Sequence, residues 1–485
     1  MLLIYVFVYV IASSILGYYL TNTAKDPKDF AVAGNAIPLH IATITVFATW
    51  FGAECILGIP AALANHGSGA LINDPICGAA CLIFIGIFIS KKVYNLRIIS
   101  IGDLILSKYG PFAEVFISFV VACSYFGWIA AQFIAIGELM QHVTGGALSK
   151  DLAIIVIAIL SGLYNYKGGM NAVAINDFIH TFMIIFALIC LLIIVMTENN
   201  IGLYGVYEEF NNNSRYRFRF DEELPNIFAI ISVSLAMVLG TVPQQDSFQR
   251  IACNTSATNA QLSTIFGGII YLLGSFIPIA IVMIGLMDKS FPVEGKVPEI
   301  YLISYAVQKA PFIIQVLLIG GLISAIASVI SGTTMASSVL IGHNVLRYIA
   351  KNTNDLVRMR ISLIITICFC CYYAIITKES IHGLVAASGN CSMVVAFIPF
   401  VFALYSEKPS KMGAIFSSIG GGATWIILEI YQFIYQDVNL PLTPSLWGLL
   451  ASIIFIAVFT LAKQEARKDK KIIPNNTKFQ IKLDK

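Results

Sequence analysis

Thr45-Val46-Phe47-Ala48-Thr49-Trp50-Phe51-Gly52-Ala53-Glu54-Cys55-Ile56-Leu57-Gly58-Ile59-Pro60 is apolar enough to enter a bilayer, yet it carries a carboxylate at Glu54. A charge at membrane depth is costly unless it is paired or faces water, so an intramembrane acid marks a functional site by default. Gly52, Gly58 and Pro60 flank the acid and weaken the helical hydrogen-bond ladder on both sides. Broken backbone inside a membrane is tolerated only where it is packed in protein or lines a cavity. This stretch therefore predicts a discontinuous membrane helix with an acid beside exposed main-chain groups.

The remaining sequence supports that environment. Of 485 residues, 58% are hydrophobic and only 12% are charged, whereas roughly a quarter of a soluble globular chain is charged. The chain is expected to be an all-α polytopic membrane protein of about thirteen spans, each near the ~20 residues a crossing requires. They fall near residues 2-21, 38-66, 71-90, 111-142, 149-165, 169-196, 225-248, 261-287, 312-346, 359-377, 383-405, 412-435 and 443-462. The first lacks a basic leader and a small-x-small cleavage pattern, so it reads as a true span and not a signal peptide.

Basic residues orient the bundle. With the N-terminus outside, alternate loops place 22 of the 30 Lys and Arg on the cytoplasmic side, Arg250 and the eight of the tail among them. Residues 463-485 read as a basic cytoplasmic tail near anionic lipid headgroups, with no nucleic-acid partner required. The ten cysteines lie almost entirely in spans, which excludes a secreted disulfide framework, and Cys368, Cys370 and Cys371 lack the companions of a metal site. No phosphate loop, nucleophile elbow or paired metal motif occurs, so neither an ATP-driven pump nor an enzyme is expected.

The polar loop at 197-224 separates five spans at 38-196 from five at 225-405. An odd number of helices per half requires two similar halves to insert in opposite senses, the inverted-repeat logic of secondary transporters. The first span of the second half is also interrupted, at Gly240-Thr241-Val242-Pro243-Gln244-Gln245-Asp246. Matched breaks point to a midplane binding site. The expected organisation is an extra span and loop at 1-37, the two repeats, two peripheral spans at 406-462, and the tail.

Several segments resemble the sodium:solute symporter family, close to its choline, proline, pantothenate and iodide symporters. Asp29-Phe30-Ala31-Val32-Ala33-Gly34-Asn35 resembles the D-F-x-x-A-G-R entry to the first core helix, with Asn35 replacing Arg. Ala48-Thr49-Trp50-Phe51-Gly52 with Leu57-Gly58-Ile59-Pro60 resembles that helix. Gly168-Gly169-Met170 through Asn176-Asp177-Phe178 resembles the start of the fifth, and Gly240 to Asp246 followed by Phe248-Gln249-Arg250 resembles the sixth. Gly321-Leu322-Ile323-Ser324-Ala325-Ile326-Ala327-Ser328 resembles the eighth, with Ala336-Ser337-Ser338 as its later portion. The resemblance spans most of residues 29-405. It implies a LeuT-type core of five plus five inverted helices and symport of a solute with Na+ as the coupling ion.

Carried over by motif, the resemblance implies a Na+ site made by the carbonyls of Ala48, Phe51 and Ala325 and the Ser328 hydroxyl, with Asp177 nearby. The family places a second hydroxyl directly after the serine, and here that position is Val329. Coupling by H+ through Asp177 or Glu54 is the alternative, because a desolvated carboxylate can carry a proton. A solute-sensing module without coupling is another. Ser331, Thr333 and Thr334 are expected to turn only partly from the Ser328 face.

Candidate solute contacts are Trp50, Glu54, Cys55, Trp128, Gln132, Gln244, Gln245 and Asp246. Trp50 and Trp128 resemble two positions of the choline transporters' aromatic cage, where ring faces attract a quaternary ammonium, but Gln244 stands where those transporters carry another cage residue. Amides at Gln132, Gln244 and Gln245 suit a carboxylate or amide, and Glu54 and Asp246 suit an ammonium. A small zwitterion such as an amino acid or betaine-like compound satisfies both sets. Asn73-Asp74-Pro75 reads as a helix cap and His180 as a hydrogen-bonded helix-face residue. The expected location is the cell (inner) membrane.

Overall fold

The computed structural model describes residues 5, 8, 12, 15–67, 69–213, 227–288, 301–379, 381–407, 409–435, 440 and 442–472. Half of the first expected span, residues 214–226 of the loop between the halves and the tail beyond 472 lie outside them.

Among the described residues the fold is helical throughout, and one isolated backbone bridge, Ile37 with Asn254, stands in place of any sheet. In chain order the helices include α1 (Pro27–Val32), α2 (Leu39–Trp50), α3 (Ile59–His66), α4 (Cys77–Phe84), α5 (Ile101–Tyr109), α6 (Pro111–Val143), α7 (Lys150–Gly168), α8 (Met170–Asn199) and α9 (Leu203–Asn212). They continue with α10 (Ile227–Thr241), α11 (Gln245–Ala252), α12 (Ala257–Met287), α13 (Tyr301–Lys309), α14 (Phe312–Val339), α15 (Asp355–Ile376), α16 (Ile381–Ser392), α17 (Lys411–Ile434) and α18 (Pro444–Ile472).

Ten helical stretches among the described residues are long and apolar enough to cross a membrane, and eleven if α2 and the helix after it count as one bent span. The bend is 56° and falls between Leu39–Trp50 and Glu54–Asn65, where the sequence places its glycine beside the acid. The expected span at 225-248 becomes two short helices, α10 and α11, joined at an extended Gln244 (φ −80, ψ 138). Pro243 cannot continue the ladder of α10, and the polar residues that follow start a new helix.

Packing sets these breaks in the protein interior. The helix α12 lies along α2 and α4, α14 lies against α8 and α6, and α16 covers α6. Gly240 lets α10 approach α16 closely, since a Cβ there would collide with the carbonyl of Gly389. The last two helices, α17 and α18, pair at Gly421 and Gly448, where a Cβ on either would meet the other's carbonyl oxygen at 2.9 Å. Small residues at crossing points are how membrane helices gain contact when water supplies no drive between them.

Candidate functional site

The first break makes one side of the site. The ladder of α2 runs to the N–H of Phe51, which donates to Phe47 O at 3.1 Å, and resumes with Ile56 N–H donating to Gly52 O at 3.1 Å. Between them Phe51 leaves helical geometry (φ −87, ψ 60). Carbonyls in the turn at 48–51 are thereby released from the regular ladder.

The helix α14 faces this break. A Cβ built on Gly52 would lie 2.8 Å from Val329 Cγ2, so only glycine fits against that valine. Beside it, Ser328 donates to Oδ1 of Asp177 on α8, and the other carboxylate oxygen lies 3.8 Å from the guanidinium of Arg250, with both side chains buried. Arg250 Nε donates to Thr45 O at 3.1 Å and Nη1 to Asp246 O at 3.2 Å. The guanidinium lies against α14 where Gly332 leaves space for it. Four elements, α2, α8, α11 and α14, thus converge on one carboxylate, one guanidinium and one hydroxyl.

Arg250 corrects the orientation count, which assigns it to the cytoplasmic side with the loop residues. It is 2% exposed. Counting basic residues between hydrophobic segments treats every such residue as solvated, but α11 follows the second break and carries Arg250 inward to Asp177. Pairing with Asp177, together with main-chain oxygens that accept from Nε and Nη1, offsets the cost of burying the guanidinium.

The solute-candidate residues separate into groups. Trp50 meets Tyr271 of α12 edge-on, with ring centroids 6.0 Å apart. The Tyr271 hydroxyl donates to Asp74 Oδ1 at 2.6 Å. Cys55 Sγ and Ser275 Oγ lie 3.0 Å apart on the same side. Gln132 Nε2 donates to Glu54 Oε1 at 3.4 Å, and its own carbonyl oxygen is buried without a hydrogen-bond partner. Glu54 is within electrostatic reach of Asp74. Among the described residues, no Lys, Arg or His forms an ion pair with either acid.

Trp128 stacks on Tyr125 at 6.3 Å, and its indole N–H is buried and unpartnered. Gln244 is buried at the second break. Gln245 is already committed elsewhere: Ile101 N–H donates to its Oε1 at 2.9 Å and its Nε2 donates to Ile99 O at 3.2 Å. Asp246 is fully buried, accepting from Tyr125 OH at 2.6 Å while its own N–H donates to that oxygen at 3.0 Å. Gln245 therefore ties the second break to the segment leading into α5, while Asp246 holds Tyr125 with one carboxylate oxygen and keeps the other, Oδ2, buried without a hydrogen-bond partner.

Other residues differ from expectation. Asp74 turns into the bundle toward Tyr271, so its side chain does not cap a helix. His180 is buried on α8 against the Ser324 backbone and lines a small cavity with Ser161, Tyr164 and Ser324. Ser331 and Thr333 donate to the preceding turn, to Ala327 O and Val329 O at 2.7 Å each, as hydroxyls in membrane helices commonly do. Tyr271, Tyr125 and Arg250 are the polar contributors that a sequence search for solute contacts misses. Asn35, which replaces the resembling motif's Arg, donates to Ala252 O at the end of α11.

Membrane-length helices, a broken span, and acids and aromatic rings gathered at the break define a membrane carrier for a small solute, not an enzyme. The chain belongs to the sodium:solute symporter family, whose model matches residues 30–421. It is 23% identical to the human high affinity choline transporter 1 over 434 residues, covering 84% of this chain and 74% of that protein. It is 21% identical to the sodium/sialic acid symporter of Aliivibrio fischeri over 381 residues, covering 74% and 73%. A solved structure of a Na+-coupled sialic acid symporter, substrate-bound and outward-open, matches with a TM-score of 0.78 at 15% identity. That match covers 95% of this chain and 98% of that one. MhsT in complex with L-phenylalanine matches at a TM-score of 0.53 and 11% identity, over 88% of this chain and 98% of that one. These structural likenesses bear on the fold.

Proposed function

We propose that this transporter couples inward Na+ movement to uptake of a small organic solute bearing a positive charge, a quaternary ammonium or a zwitterion such as a betaine or amino acid. The observation that carries the solute class is the pair of acids, Glu54 and Asp74, set beside Trp50, Tyr271 and Gln132 with no cation among the described residues paired to either. A solute ammonium supplies the missing charge, the aromatic rings favour it over water, and Gln132 offers hydrogen bonding to a carboxylate or hydroxyl. Trp50, Glu54, Cys55, Trp128, Gln132 and Gln244 remain the direct contacts in this reading. Asp74 and Tyr271 join them, Gln245 becomes a support, and Asp246 holds Tyr125.

Na+ would take the carbonyls of Ala48, Phe51 and Ala325 and the Ser328 hydroxyl, with Asp177 drawing it in. Support comes from the lapse in the ladder at 48–51 and from Ser328 lying against Asp177. The hard cation wants oxygen, and main-chain carbonyls provide it without adding charge. Each of solute and ion lowers the other's dissociation constant by one shared factor when both stabilise the same occluded state. The Arg250 pairing gives Asp177 a resident counter-charge, which favours this reading over H+ coupling. The reading keeps thirteen spans with two inverted sets of five, the N-terminus outside and the C-terminus in the cytoplasm.

Purified protein in liposomes, offered radiolabelled choline, glycine betaine, proline and pantothenate, tests the proposal. Accumulation of a cationic or zwitterionic probe under an inward Na+ gradient is expected. Uptake indifferent to Na+, or uptake confined to pantothenate, overturns it.

A further inference from the structure

One face of α5 belongs to a charge cluster that includes none of the candidate solute or ion contacts. His343 follows the end of α14, and its two ring nitrogens face two carboxylates: Nδ1 lies 2.6 Å from Asp355 Oδ2 and Nε2 lies 3.0 Å from Asp103 Oδ1. A neutral imidazole has one N–H and one lone pair, so one of these contacts would set lone pair against carboxylate. The imidazolium donates to both.

The surrounding charges agree. The segments packed around His343 are α5, α6, α14, the turn at Leu346–Ile349 and α15. They present three carboxylates, Asp103, Glu114 and Asp355, and two guanidinium groups. Arg347 contacts Glu114 and lies 3.8 Å from Asp103, while Arg358 lies 2.8 Å from Asp355. Asn344 and Tyr348 add neutral donors to Glu114 at 2.9 and 2.6 Å. A charged His343 balances the cluster. Burial works to raise the Asp103 carboxyl, but the hydrogen bond and charge of His343, with the N–H groups of Ile99 and Ser100, leave it below the usual carboxylate range.

The helix α5 also grips the transport machinery. Its leading residues Ile99 and Ile101 are held by Gln245, the first residue of α11, directly after the second break. Its far end is tied by Lys108 to Ser406 O at 3.1 Å and by Tyr109 to Pro399 O at 2.9 Å. One short helix thus joins the broken helix to α14 and α15, and His343 makes the second of those joints.

We propose that His343, as an imidazolium, is a positioning residue that latches α5 to α14 and α15, and that its deprotonation releases α5 together with the α11 half of the broken helix. The latch is closed at acidic pH and opens as pH rises, because the neutral ring can hold only one of its two carboxylates. Movement of the carrier would then respond to pH on the face that the basic residues assign to the cytoplasm.

Hydrogen–deuterium exchange of the full chain in nanodiscs, from about pH 6 to about pH 9 and corrected for intrinsic rates, reads the latch without needing the solute. Exchange across residues 101–109 should rise on the order of tenfold as pH increases, the loss expected for one charge-assisted hydrogen bond. H343Q should exchange fast at every pH, a flat profile that a merely structural histidine would not predict. Wild-type protection independent of pH, or an H343Q profile that keeps the wild-type slope, overturns the proposal. Should H343Q not fold, D355N decides in its place: a flattened profile supports the latch and an unchanged one overturns it.

Discussion

Val329→Thr tests the ion site most directly, because threonine keeps the shape of valine while offering the missing oxygen. Val329 is 2% exposed and its Cγ2 abuts Gly52, so residue 329 points at the break whose carbonyls the ion would use. In the absence of Na+ the new hydroxyl is expected to bond the Ala325 carbonyl one turn back, worth about 1 kcal/mol. Contact with a bound cation is comparable to a hydrogen bond to a charged group, about 1.5–3 kcal/mol. The difference, about 0.5–2 kcal/mol, lowers the Na+ midpoint roughly 2- to 30-fold. Val329→Ala removes two methyl groups without adding oxygen and serves as the control for any effect of space beside Gly52, for which no gain in affinity is expected. Tryptophan fluorescence titrated with NaCl at constant ionic strength, with Trp50 beside the break, supplies the assay. A Thr variant whose midpoint matches wild type, or an Ala variant that improves as much as Thr, refutes the placement of the ion beside residue 329.

Further outcomes follow from the same contacts. Asp177→Asn leaves Arg250 buried without its counter-charge, and the thermal unfolding midpoint should fall by an amount equivalent to about 3 kcal/mol, partly restored in Asp177→Asn/Arg250→Met; no restoration would show that the 3.8 Å pair is not coupled. Gly52→Ala should abolish uptake by forcing a methyl against Val329, and Val329→Ala added to it should recover activity, whereas independent effects of the two changes would contradict the contact. Glu54→Gln and Asp74→Asn should each weaken binding of whichever cationic probe is transported by roughly tenfold, the scale of one lost charged contact. Equal affinity in wild type and both variants, measured by calorimetry, would return the acids to a structural role.

Much was legible in the chain before folding. Composition alone requires helices, because a bilayer leaves no other way for an open chain to satisfy its backbone groups. Gly52 and Pro243 mark the two interruptions because their chemistry acts locally, whereas Asp177 and Ser328 are singled out only by the resemblance to the sodium:solute symporter family. Glu54, Trp50 and Gln132 were found because a polar or large aromatic group within a hydrophobic run stands out one residue at a time.

Tertiary structure decided which of those groups meet. Asp74 and Tyr271 lie 197 residues apart and His343 and Asp103 lie 240 apart, so no local pattern pairs them. Arg250 reads as a loop charge until α11 carries it to Asp177, and Gln245 reads as a free amide until its partners at Ile99 and Ile101 are in view. The sequence by itself determined a membrane carrier with two broken helices and an acid at the first, since these follow from hydropathy and backbone chemistry. Only packing decided which polar groups face one another and which are already satisfied, because hydrogen bonding at membrane depth is settled by neighbours distant in the chain.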